Sequence, residues 1–121
     1  MKCWALTEKN VKTYVPRGAT GVYYLGNVKN SKFLLKYVGR SDTKLQVRLL
    51  DHARRKKYSH FHFETTETIM KAYEVECREW HNAFSLDNKI HPRKPKNLGY
   101  KCPYCTISKG GFTEWRMKSK K

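Results

Sequence analysis

Two runs dense in β-branched and aromatic residues stand out along the chain, residues 19–26 (ATGVYYLG) and 32–40 (KFLLKYVGR). Such side chains favour extended backbone. The link between them, residues 27–31, is polar, and the pattern predicts a β-hairpin. Both faces of each run are apolar, so the hairpin is expected to be covered on both sides. Side chains alternate along a strand, which places Tyr23 with Gly21 and Leu25, and Tyr37 with Phe33, Leu35 and Gly39.

Helical periodicity follows. Ser41 and Asp42 are suited to capping a helix over 43–54. At about 100° per residue, Leu45, Leu49, Leu50 and Ala53 form its apolar face. Arg48 and His52, four apart, are neighbours on one flank. Residues 58–63 (YSHFHF) alternate and predict a third strand with Phe61 and Phe63 inward; His60 and His62 then read as surface histidines. Thr65, Thr66 and Glu67 predict the start of a second helix, with an apolar stripe of Ile69, Ala72, Tyr73, Cys77 and Trp80. Glu76 falls inside that stripe, where a carboxylate is costly unless a cation, a metal or hydrogen-bond donors meet it. A buried salt bridge, for example to Arg48, is the plain account; a metal ligand or catalytic acid is the functional one.

Residues 1–18 are weakly patterned, with Trp4, Ala5 and Leu6 suited to a short edge strand or to packing. Beyond Phe84 the periodicity ends in a basic, proline-containing arm. The fold expected is a small α/β sandwich, a three-stranded, mostly antiparallel sheet flanked by helices. One domain over 1–97, with its core at 19–97, is followed by a basic tail over 98–121 that carries Cys102 and Cys105 as CPYC.

Charge narrows the partner. Lys plus Arg number 26 against 10 Asp plus Glu, a formal charge of +16 on 121 residues. This points to a polyanion, nucleic acid before an anionic membrane surface. No apolar run approaches the roughly 18 residues of a membrane span. The opening MKCWALTEKN lacks the apolar core of a secretory signal. An intracellular, cytoplasmic or nucleoid-associated setting is expected, with the four cysteines as free thiols or metal ligands. CPYC is half of a zinc site. Cys77, His81, His91 and Cys3 are the candidates for its other half, although Cys77 also suits the core stripe.

An ordered set of these residues resembles the GIY-YIG endonucleases. Gly21-Val22-Tyr23 matches the first signature triplet and Tyr37-Val38-Gly39 the second, with basic Arg40 after it. Arg48 matches the family arginine, and His52 the histidine one turn later in restriction-type members. Glu76 matches the family glutamate; Asn88, twelve residues on, matches the asparagine, with Asn97 a weaker competitor. The likeness spans roughly 19–97. The segment between the two tyrosines is longer than in many members, which predicts an extended hairpin turn.

The resemblance implies a GIY-YIG-type fold and a metal-dependent endonuclease. Glu76 would hold Mg²⁺ (or Mn²⁺), which takes few protein ligands. Tyr23 would be the general base, its pKa lowered by Arg40, Lys36 and the metal. Tyr37 would position water or phosphate, Arg48 would clamp the phosphate, and His52 would assist Tyr23 or bind phosphate. Asn88 would fix the glutamate or the substrate. Lys36, Arg40, Arg54, Arg55, Lys56, Lys57, Lys89, Arg93, Lys94 and Lys96 would track the backbone of nucleic acid, DNA ahead of RNA. With no recognition domain in view, cutting would be structure-selective or guided by a partner protein; the oligomeric state stays open. Two alternatives remain: a binding module of the same fold without catalysis, and a ribosomal-type RNA coat protein, which explains the charge but not the triplets or Glu76.

Overall fold

A computed structural model describes residues 2–83, 85–95 and 102–104. Four antiparallel strands form one sheet: β1 (Trp4–Ala5), β2 (Gly21–Lys29), β3 (Lys32–Ser41) and β4 (His60–Thr65), in the order β1-β4-β2-β3. Among the described residues three helices accompany it: α1 (Glu8–Tyr14), α2 (Leu45–Arg55) and α3 (Ile69–Asn82). The sheet therefore has one more strand than the pattern predicted. Trp4 and Ala5 pair with Phe61 and His60, and Trp4 stacks on Tyr14 with ring centroids 4.9 Å apart.

The unforeseen α1 rests on few residues. Thr7 caps it by accepting the Asn10 amide at 3.1 Å, and Val11 and Val15, four apart, are buried. Helix α2 begins later than expected because Ser41 Oγ takes the Lys44 N–H at 2.8 Å, one turn ahead of it. The third predicted strand is displaced toward the C-terminus. Its pairing with β2 runs on to Gly21 opposite Thr65, so α3 starts only at Ile69, capped by Thr68. Thr65, Thr66 and Glu67 are thus outside that helix.

Both faces of the sheet are covered, as the pattern of the hairpin required. On one face α1 and α2 bury Val11, Leu45 and Leu49 against Tyr23, Leu25 and Phe61. On the other, α3 buries Ala72, Val75 and Trp80 against Val22, Tyr24 and Val38. Ile69, Ala72, Tyr73, Cys77 and Trp80 do point inward in large part, and Val75 and His81 join them. His60 and His62 are half-buried rather than solvated: His62 lies over Tyr24 and its Nδ1 donates to Lys2 O at 2.5 Å.

The hairpin differs from the expectation in two ways. Its turn is tight, since Lys29 pairs with Lys32 and only Asn30 and Ser31 lie between, with φ of 52° and 64°. Positive φ at both positions is the type I′ geometry that suits strand twist; the extra length went into the strands. Second, Leu25 faces Tyr37 while Gly26 faces Leu35, so Lys36 is an extra, bulged residue. A bulge inverts the alternation beyond it. Phe33 and Leu35 pack with α3, whereas Tyr37 packs on the α2 face with Tyr23. The expected shared face of Tyr37, Phe33 and Leu35 is therefore broken, and the two signature tyrosines are brought together.

Candidate active site

Tyr23 stands directly opposite Gly39, and that glycine is what admits its ring. A Cβ on Gly39 would lie 2.5 Å from Tyr23 Oη. Tyr37 stacks beside Tyr23 with centroids 6.1 Å apart, and the His52 ring lies 5.3 Å from both. The Tyr23 hydroxyl lies 3.2 Å from His52 Nε2. Burial drives the Tyr23 pKa well above the ordinary phenol value, Tyr37 adds to this, and Arg48 opposes it. The expectation that Arg40 and Lys36 would lower it is not met, because Arg48 is the cation that acts. Burial lowers the His52 pKa to about 4, with Arg55 and Arg48 adding to this and Asp51 opposing it. At neutral pH His52 is thus uncharged, and in the tautomer that leaves Nε2 unprotonated it accepts the Tyr23 O–H.

Glu76 is buried, 7 % exposed, on the sheet-facing side of α3. Its partner is Arg40, not Arg48: Arg40 Nη1 lies 3.0 Å from Glu76 Oε1. The same guanidinium binds Asp42 Oδ1 through Nε at 2.8 Å, donates to Arg93 O at 2.8 Å, and lies over the Tyr73 ring at 5.3 Å. Arg40 is therefore spent inside the protein and is withdrawn from the set expected to meet a nucleic-acid backbone. Burial raises the Glu76 pKa to about 7 while Arg40 pulls it down. The role of Asp42 in holding Arg40 went unread in the sequence. The signal was its spacing, since residues 40 and 42 at a strand end share one side.

Asn88 reaches the edge strand β3. Its Oδ1 accepts the Val38 N–H at 3.4 Å and its Nδ2 donates to Val38 O at 2.7 Å. An amide offers both a donor and an acceptor, so it stands in for a neighbouring strand. The side chain thus holds β3, and the residue also lines the cleft, where the family-derived role of fixing the glutamate or the substrate would place it. Nearby, Asp87 N–H donates to Lys36 O at 2.6 Å and Asp87 Oδ2 accepts from Tyr58 at 2.6 Å. Residues 85–95 are fastened along that edge and form one wall of a cleft.

The cleft, about 720 Å³, is lined by Tyr23, Tyr37, Arg48, Glu76, Asn88 and the arm around Lys89 and Arg93. Tyr23 and Tyr37 reach it from one face of the sheet and Glu76 from the other, because β3 is the edge strand between them. Arg48 is exposed on α2 and opens onto it. His52 touches the site only through the tyrosines. Of the other basic residues, Arg54, Arg55, Lys56, Lys57 and Lys94 are exposed away from the cleft lining and Lys36 is half-buried in the bulge. Arg54 is shared with Glu8 at 3.2 Å, and Lys57 lies 3.9 Å from Asp87. Lys96, Asn97 and Cys105 lie outside the described residues.

A second cluster adjoins the first. Cys77, which follows Glu76, gathers with His91 and Cys102, their donor atoms all within 4.8 Å of one another, and this buried group could hold a metal such as zinc. Cys102 and Tyr104 pack on Tyr73 and Cys77, so this part of the tail belongs to the α3 side of the fold. Cys3 is remote in the fold, beside β1. Comparisons with protein-family models, with curated proteins and with solved structures find no match. Among the described residues no helix is long and apolar enough to cross a membrane.

Proposed function

We propose that this chain is a metal-dependent endonuclease of the GIY-YIG kind that hydrolyses phosphodiester bonds in DNA. The observation that carries the reading is the convergence of Tyr23, Tyr37, Arg48 and Glu76 on one cleft from β2, β3, α2 and α3. Nothing in packing alone demands two stacked tyrosines, an exposed arginine and a buried carboxylate around one opening.

Arg48, with a planar fork of donors, would grip the scissile phosphate and the charge it gains in the transition state. Tyr23 is a neutral phenol and a poor base unaided. Its bond to His52 gives the proton a route: as Tyr23 Oη takes a proton from water, its own proton would pass to the neutral but weakly basic His52 Nε2. Tyr37 confines the water beside Tyr23. Glu76 would hold Mg²⁺, and its fit is tested by the donors present: Arg40 engages Oε1, leaving Oε2 as a hard oxygen ligand. When bound, the ion supplies positive charge at the phosphate and the leaving oxygen. Lys89 and Arg93 beside the cleft suit the flanking phosphates.

One observation favours a second reading, a nucleic-acid-binding module that does not cut. The Arg40–Glu76 pair already satisfies the buried carboxylate. Nicking of supercoiled plasmid with Mg²⁺ separates the two. Wild type is expected to nick, and Arg48→Ala to lose at least about 100-fold in rate, on the scale of one lost transition-state donor. No nicking of duplex or branched DNA by a protein that binds both would favour the module.

A further inference from the structure

The cluster on the C-terminal half of α3 is separate from the cleft chemistry and rests on none of it. Cys77 and His81 are four apart on α3, so they share one side of the helix. His91 comes from the arm and Cys102 from the tail. His81 Nε2 lies 3.2 Å from His91 Nε2 and 3.5 Å from Cys102 Sγ. In a tetrahedral zinc site with Zn–N near 2.0–2.1 Å and Zn–S near 2.3 Å, adjacent ligand atoms stand about 3.3–3.8 Å apart. The donor atoms of Cys77, His91 and Cys102 lie within 4.8 Å of one another and close with shifts of about an ångström or less, and His81 joins them through His91 and Cys102.

The His91 tautomer agrees with that use. His91 Nδ1 donates to Pro92 O at 2.9 Å, which leaves the Nε2 lone pair facing the cluster. A backbone carbonyl on the far nitrogen is the usual support of a ligating histidine. Two thiolates and two imidazoles select a borderline-soft ion such as zinc over Mg²⁺. Two thiolate charges also neutralise the ion, which suits a buried position.

We infer that Cys77, His81, His91 and Cys102 form a structural zinc site that clamps the arm and the tail onto α3. Its place gives it a purpose. Cys77 adjoins Glu76, and His91 lies three residues beyond Asn88, so the ion ties the helix bearing the carboxylate to the wall opposite. The site is closed by four protein ligands and leaves no position for substrate.

The test is metal analysis of the full chain purified without chelator. About one equivalent of zinc is expected, falling below half in Cys77→Ser and in Cys102→Ser, and unchanged in Cys3→Ser. Because the serine variants can misfold, cobalt exchange into wild type gives an independent reading. Intense tetrahedral visible bands with a thiolate-to-cobalt band are expected, and chelator should lower the wild-type Tm on the order of 10 °C, since metal binding here is folding energy. Cys105→Ser should keep its zinc and His81→Ala should lose it; the reverse would overturn the ligand set. Less than half an equivalent in wild type supplied with zinc, with no thiolate-to-cobalt band, would overturn the site.

Discussion

Arg40 Nη1 sits 3.0 Å from Glu76 Oε1, both side chains about one-tenth exposed, so the costly carboxylate of α3 is matched by a cation from β3. Removing Arg40 leaves Glu76 buried without its cation, to be held charged at a cost or to take up a proton, whereas removing Glu76 leaves Arg40 on Asp42 and Arg93 O. Arg40→Met is expected to cost about 3–5 kcal/mol of stability, and Arg40→Met with Glu76→Leu to recover most of it. Urea denaturation checks this; a double variant as unstable as Arg40→Met alone would count against the pairing as the source of the loss.

The fit of Tyr23 to Gly39 predicts a contrast between glycines. Gly39→Ala forces a methyl into the Tyr23 ring and is expected to destabilise by about 1–3 kcal/mol, with a larger fall in activity as the tyrosine shifts. Gly18→Ala meets open space, and its cost is confined to its φ of +71°, about 1 kcal/mol. Denaturation midpoints of the two variants give the comparison.

Asn88→Asp isolates the clamp on the sheet edge. The carboxylate keeps an acceptor for Val38 N–H but loses the donor to Val38 O. A loss of about 1–3 kcal/mol is expected. Faster amide exchange at residues 36–40 than in wild type should accompany it. Unchanged exchange there would show that the arm is held by other contacts.

The His52 shift gives a pH dependence of definite sign. Its pKa is about 4 in the fold against about 6.5 in an unfolded chain. Between those values the unfolded state binds more protons, so stability rises with pH from about 4 to 6.5 and the contribution is complete above that. Arg55, Arg48 and Asp51 act on the ring by charge, and Tyr23 and Tyr37 lie against it. His52→Gln should flatten this part of the profile, measured as Tm against pH. In the nuclease reading, the same variant should slow cleavage across the whole range well above pH 4, where the imidazole is neutral and able to receive the Tyr23 proton.

Much of this arrangement was legible beforehand because it follows from period and sterics. The 2-residue alternation around Tyr23, the stripe of α3 and the anomaly of Glu76 inside it are local signals. What escaped was non-local or too short to leave a pattern. Helix α1 buries only Val11, with Val15 just beyond it. The bulge at Lys36 is a property of pairing, and it alone turns Tyr37 toward Tyr23. The choice of Arg40 over Arg48 as partner for Glu76 depends on which face of β3 meets α3. The convergence of Cys77, His91 and Cys102 depends on where the arm is fastened, which periodicity does not encode.

The most direct test of the central claim compares wild type with Glu76→Gln on supercoiled plasmid and branched DNA, with Mg²⁺ and with chelator. Glutamine keeps the shape and removes the charge that would hold the ion. The account predicts cutting by wild type only with Mg²⁺, and binding without cutting by the variant. Equal cutting by both proteins would contradict it.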